Sequence, residues 1–224
     1  MNEITTIHTM TFDGGDVCFD FINSGYDRKK GVITERLHSY QDLLTLVERL
    51  ALFDEITLKN LKEFALVNER EAEKALNKTL NIRTLLYQLF ESIALKLTQK
   101  FEQRILTELN FAFAEALQFK GISVEGDRVQ FTFNAALAGL MAPIWKFVLS
   151  AYDLIDNCDM QFIRQCERCA WLFIDKTKNH RKKWCSMESC GNRQKTKKYY
   201  AIRSGINNIR GCCFTLKHCI IRDS

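Results

Sequence analysis

The sequence predicts a mainly α fold: a helical N-terminal domain carrying one β-hairpin, then a small cysteine-bearing module that ends in a basic helix. Three observations carry that expectation. Apolar residues recur at three- and four-residue spacing through most of positions 1–159. Proline occurs once, at Pro143, so little interrupts long helices. Four of the nine cysteines fall within positions 166–190.

The elements follow in order. Asp16 to Ser24 (DVCFDFINS) is apolar with a few fixed polar positions and reads as a short helix. Ser39 opens a second helix, with Asp42 three residues on as a capping box. Leu43, Leu44, Val47, Leu50 and Ala51 give that helix its apolar face. Thr57 is expected to cap a further short helix. From Asn68 to Leu97 a long amphipathic pattern runs through Ala72, Leu76, Ile82, Leu86, Phe90 and Ile93. Phe101 to Gln118 reads as another helix.

The period then changes. Val129, Phe131 and Phe133 alternate with Arg128, Gln130 and Thr132, and Gly126-Asp127 separates this run from Ile122–Glu125. Two alternating runs about a two-residue turn predict a β-hairpin. Asn134 is expected to cap a last helix reaching about Asp156, with Pro143 either kinking it or marking a new first turn. A boundary at 157–160 separates a domain of residues 1–159 from a module of residues 160–204 and a tail of residues 205–224.

Apolar residues are 46% of the chain and charged residues 26%, the balance of a globular protein. Met1 to Gly15 has no basic stretch followed by an apolar one, as a secretory signal would. The longest uncharged apolar run, Ala135–Trp145, is shorter than the ~20 residues of a membrane span. A cytoplasmic protein is therefore expected. Nine cysteines, an odd number, argue against a disulfide framework. Cys18 and Cys158 read as core residues, while Cys212, Cys213 and Cys219 lie in the tail.

The net charge of +5 is unevenly placed. Residues 1–159 carry 17 basic against 23 acidic side chains, whereas residues 160–204 carry 12 against 3. An acidic body with a basic C-terminal block implies an anionic partner for that block.

Within the block the pattern is Cys166-x2-Cys169, 15 residues, then Cys185-x4-Cys190. Two close cysteine pairs about a short insert are the spacing that closes a tetrahedral Zn²⁺ site, here in a treble-clef or knuckle-like module. So short a module builds little core of its own, and a structural metal supplies folding free energy on the order of 10 kcal/mol or more. Four thiolates also leave no position for an activated water, so the zinc is expected to be structural. A redox Cys-x2-Cys pair, or His180 replacing one cysteine, are the competing readings.

Lys178, Arg181, Lys182 and Lys183 lie in the insert, and Arg193, Lys195, Lys197, Lys198 and Arg203 follow the last cysteine on a helix-compatible stretch ending at Ser204-Gly205. Such side chains neutralise phosphates, which makes nucleic acid the expected partner, with arginine able to read guanine edges of a duplex. Two alternatives stand beside it. Trp171, Phe173 and Trp184 either dock a protein partner or form the module's own core. Tyr199 and Tyr200 suit stacking on unpaired RNA bases.

Trp184-Cys185-Ser186-Met187-x-x-Cys190-Gly191-Asn192-Arg193-x-Lys195, with Trp171-Leu172-Phe173-Ile174-Asp175 upstream, resembles the CGNR zinc-finger family. Gly14-Gly15-x-Val17-Cys18-Phe19-Asp20-Phe21-Ile22-Asn23, Ser39–Leu44 and Leu140–Ile144 are similar to the ABATE domain, which precedes this finger in bacterial stress-induced transcription regulators. The resemblance spans about residues 10–204 and implies Cys166, Cys169, Cys185 and Cys190 as ligands of one structural Zn²⁺, DNA binding by the finger, and a regulatory role. The tail Ile206–Ser224 falls outside it.

A helical domain ahead of a DNA-binding finger suggests a sensor. Asp20 and Asn23 stand in an apolar segment and Arg83 on the long helix. Buried polar groups need partners, here either a small ligand or one another. No Ser/His/Asp set, phosphate-cradling glycine loop or His-rich site occurs in residues 1–160, so an enzyme is not expected. A homodimer is left open.

Overall fold

The computed structural model describes residues 5–25, 34–192, 195–196 and 199–200. The chain divides into two compact units, Met1–Cys185 and Ser186–Ser224.

The first unit is helical around one apolar core. Helix α1 (Val17–Asn23) begins at Asp16, whose carboxylate accepts from the Cys18 amide. Helix α2 (Tyr40–Arg49) carries the expected capping box between Ser39 and Asp42. Helix α3 (Glu55–Val67) is longer than expected and is capped by Asp54 rather than by Thr57. Thr57 sits one turn in and donates both its amide and its hydroxyl to the Asp54 carboxylate. Both residue types cap well, and an Asp three positions ahead takes the role.

Helix α4 (Glu69–Ala94) is the longest element and buries ten side chains, among them Leu86, Tyr87 and Phe90. Helix α5 (Gln103–Leu117) leads into strands β1 (Lys120–Glu125) and β2 (Arg128–Phe133), an antiparallel hairpin with Glu125 opposite Arg128. Gly126 opens the turn at φ +60, a left-handed conformation that costs glycine little. The alternation in β2 does not bury an apolar face, since Val129 and Phe131 remain exposed.

The last helix of the body is broken. Asn134 caps a short helix α6 (Ala135–Ala138), a 3₁₀ turn follows at Gly139–Met141, and helix α7 (Ala142–Asn157) restarts with Pro143 in its first turn. Gly139 at φ +55 makes the break, and proline needs no amide partner there. The stretch Ala135–Asn157 is long and apolar enough to cross a membrane, yet more than half of it is buried within the protein. Phe21 stacks on Phe147 at 4.2 Å and Phe19 meets Phe90 edge-on at 5.0 Å, joining α1 to α7 and α4.

Strands β3 (Ile163–Gln165) and β4 (Leu172–Ile174) form a second antiparallel ribbon. It belongs to the same compact unit as the helices. Asn23 at the end of α1 donates its amide to the Leu172 carbonyl and accepts from the Leu172 N–H, both at 2.9 Å. Gln165 donates to the Tyr87 hydroxyl at 2.9 Å and to Glu91 at 2.7 Å on α4. The Ile174 amide donates to the Gly14 carbonyl at 3.0 Å.

The second unit contains a π-helical turn, Met187–Gly191, opened by Ser186. Beyond it Asn192, Lys195, Thr196, Tyr199 and Tyr200 are helical and exposed.

Candidate metal centre and basic surface

Each cysteine pair is set by a local turn. The Ala170 amide donates to the Cys166 carbonyl at 3.0 Å and the Cys166 amide to the Trp171 carbonyl at 2.8 Å. Ala170 closes this knuckle at φ +62. The conformation is strained for alanine and holds only because the hydrogen bonds on either side fix it. At the second pair, the amides of Cys190 and Gly191 both converge on the Ser186 carbonyl, at 3.1 and 3.0 Å.

The four sulfurs of Cys166, Cys169, Cys185 and Cys190 lie within 4.8 Å of one another. Tetrahedral zinc with Zn–S bonds of about 2.3 Å requires sulfurs roughly 3.8 Å apart, and Cys169 and Cys185 stand 3.6 Å apart. Cys166, Cys185 and Cys190 are buried and Cys169 half-buried. Donor type, number and spacing all fit one structural Zn²⁺ with a closed coordination shell. When bound, the ion would cross-link two turns that lie apart in the sequence.

His180 is not part of this cluster. Its Nδ1 lies 2.9 Å from the Asp175 carbonyl oxygen, and its ring stacks on Phe162 at 3.9 Å. Trp171 and Phe173 are core residues, 6% and 0% exposed, so neither is a surface docking aromatic.

The basic insert is organised by a residue that charge counting passes over. Asp175 is 1% exposed, and its carboxylate accepts from the Thr177 amide at 3.0 Å, the Thr177 hydroxyl at 2.6 Å and the Lys182 amide at 2.8 Å. Burial pushes its pKa up, but these hydrogen bonds outweigh burial and hold it below the ordinary carboxylate value. The local signal was an Asp two residues before a Thr, the pattern of a side-chain-capped turn. On the loop so fixed, Lys178 and Arg181 are exposed. Lys182 is half-buried with its ammonium 5.0 Å from the Phe173 ring centre, and Lys183 pairs with Glu167 at 3.1 Å. Lys195 is exposed, while Arg193, Lys197, Lys198 and Arg203 lie outside the described residues.

Two family models match the chain. One, described as "Putative stress-induced transcription regulator", ABATE, matches residues 15–156. That is more than half of the sequence. The chain belongs to the ABATE family. The CGNR zinc finger model matches residues 163–203, which take in all four clustered cysteines. A search of curated proteins finds no match.

Within the ABATE region, Asp20, Asn23 and Arg83 all meet internal partners. Asn23 holds β4. Arg83 donates to Ser24 Oγ and to Glu35 Oε1, each at 2.9 Å, and forms a second, shorter bond to Glu35 Oε2. Burial pushes the Glu35 pKa up, and Arg83 more than reverses that, leaving it lowered. Asp20 Oδ1 accepts from the Gly14 amide at 2.9 Å. Its pKa is pushed up to about 7, chiefly by burial and further by Asp13 and Asp16, against the pull of the Gly14 hydrogen bond.

Proposed function

We propose that this ABATE protein is a DNA-binding transcription regulator whose basic, zinc-stapled finger contacts duplex DNA. The observation that carries the reading is the coincidence of two features. Residues 160–204 hold 12 basic against 3 acidic side chains, and the same segment is stapled by the four-cysteine cluster. Exposed Lys178 and Arg181 on the Asp175-fixed loop supply phosphate contacts that position the finger. The basic side chains after Cys190 supply the remainder, and arginine among them can read guanine edges.

On this reading the chain is a cytoplasmic binding protein and not an enzyme, and four thiolates filling the metal's coordination shell would leave no open position for catalysis there. Its N-terminal helical domain tunes DNA binding in response to a signal, in keeping with the family description.

Fluorescence anisotropy of the zinc-loaded chain against labelled duplex DNA tests the proposal. Affinity should fall steeply with salt, and replacing Arg193, Lys197 and Lys198 with alanine should weaken binding and flatten the log–log slope by about 0.9 per lost phosphate contact. Salt-independent binding, or a triple variant indistinguishable from the parent, would sink it. Tighter binding to single-stranded RNA than to duplex DNA would transfer the finger to RNA.

A further inference from the structure

One face of α7 lines a cavity of about 740 Å³. Lys146, Leu149, Ser150 and Asp153 face it at helical spacing, with Phe131 and Phe133 of the hairpin also in its wall. Ile174 of β4 and Lys176 also line it. The volume falls in the range that holds small organic ligands, and the lining is mainly apolar.

The charged side chains around the cavity other than Lys146 have internal hydrogen-bond partners, Asp159 among them, which accepts from the Gln161 amide at 3.0 Å. Lys120 pairs with Asp153 at 3.3 Å, and Lys176 donates to the Gly15 carbonyl at 2.8 Å. Asp16 accepts from Ser150 Oγ at 2.7 Å and from the Cys18 amide at 2.9 Å. Lys146 is the exception. It is half-buried, and its ammonium lies 5.3 and 5.7 Å from the ring centres of Phe133 and Phe53. No carboxylate among the described residues pairs with it. Ring faces compensate a desolvated ammonium only in part, and burial lowers the pKa of Lys146 accordingly.

We propose that this cavity binds a small organic monoacid, an apolar body bearing one carboxylate, with the carboxylate on Lys146 and the body between Phe133 and the apolar face of α7. One ammonium without a carboxylate partner, in a mainly apolar cleft that also carries the Asp16, Asp153 and Asp159 carboxylates, suits one negative charge and disfavours polyanions such as nucleotides. The ligand would touch Ile174 and Lys176, which flank Asp175, so its binding reaches the segment that fixes the basic loop. Binding to the cavity is independent of the DNA reading, and only its effect on affinity for DNA rests on it.

Isothermal titration of the full zinc-loaded chain with 1-naphthoate and with decanoate tests the site in the absence of DNA. Their uncharged amides serve as controls. At least one acid should bind with a negative heat-capacity change, at least tenfold more tightly than its amide. Lys146→Gln should weaken the acid at least tenfold and leave the amide unchanged, whereas Lys146→Arg should keep the acid. Whichever acid binds decides between an aromatic and an aliphatic body. Hydrogen exchange should show protection at residues 131–133 and 174–176. Equal binding of acid and amide, an unaffected Lys146→Gln variant with a parental melting temperature, or no binding of either acid at millimolar concentration would each overturn the proposal. If the acids bind but leave DNA affinity unchanged, the cavity stands and its coupling to the finger falls.

Discussion

Asn23 treats Leu172 as a neighbouring strand would. Its carboxamide gives one hydrogen bond to the Leu172 carbonyl and takes one from the Leu172 amide, both at 2.9 Å, although 149 residues separate them. Asn23 is fully buried, so no water stands ready to replace it. This side chain joins the first helix of the ABATE domain to the ribbon that carries the first cysteine pair.

Replacing Asn23 should therefore cost more than a surface asparagine. Each buried backbone group left unpaired costs about 1–3 kcal/mol, so Asn23→Leu is expected to lower stability by about 2–4 kcal/mol in urea unfolding. Asn23→Asp should be at least as damaging, because an oxygen replaces the donor facing the Leu172 carbonyl and a charge is buried. A loss below about 0.5 kcal/mol in both variants would mean that the ribbon is held by its other contacts.

Much of the architecture was legible because its signals are local. Ser39 and Asp42, Gly126-Asp127, Asn134 and the paired cysteines each act within a few residues, at spacings that one backbone geometry dictates. The displaced cap at Asp54 was a local ambiguity between two good capping residues. The contacts of Asn23 and Gln165 were not legible, since nothing in their neighbourhood names a partner on a distant element. For the same reason Asn23 and Arg83 suggested ligand contacts. The sequence shows a polar residue in an apolar run but not the Leu172 backbone or the Glu35 carboxylate that it meets.

The raised pKa of Asp20 gives a pH signature. Its carboxyl stands at about 7 against an ordinary 3.8, chiefly through burial. Between these values the folded chain holds a proton that the unfolded chain releases, so this group's contribution is full below pH 4 and is lost as pH rises towards 7. Asp20→Asn keeps an oxygen for the Gly14 amide and never ionises. Relative to the parent, it should gain stability progressively from pH 4 to 8, by at most about 4 kcal/mol at roughly 1.4 kcal/mol per pK unit. Urea midpoints of the two proteins across that range provide the check, and a constant difference would show that Asp20 stays charged in the fold.

Zinc removal should act regionally. The helical core around Phe19, Phe90 and Phe147 has its own packing and no metal ligand. The knuckle at Cys166–Trp171 and the turn at Ser186–Gly191 depend on the ion. A strong chelator, or Cys169→Ser, should abolish stoichiometric zinc and release amide protection in residues 166–171 and 186–191, while α4 and α7 stay protected. One zinc per chain by elemental analysis is expected beforehand. Unfolding of the whole chain on chelation would instead make the metal a condition for the ABATE core.

Asp175 offers a way to separate metal binding from DNA binding. It lies outside the four-cysteine cluster, yet its carboxylate gathers the Thr177 amide and hydroxyl and the Lys182 amide, which sets the path of the loop presenting Lys178 and Arg181. Asp175→Ala removes all three acceptor contacts and leaves those amides to find water. The loop then samples many conformations, and ordering it on DNA adds an entropic cost of about 1–2 kcal/mol per fixed residue. The zinc content of Asp175→Ala should stay at the parental value while its affinity for duplex DNA falls about tenfold or more. Asp175→Asn retains one acceptor oxygen, so it can keep the Thr177 bonds but not the Lys182 bond, and should fall between the two. If Asp175→Ala loses zinc as readily as DNA, the carboxylate supports the metal site itself. If it loses neither, Lys178 and Arg181 do not need a fixed loop to act.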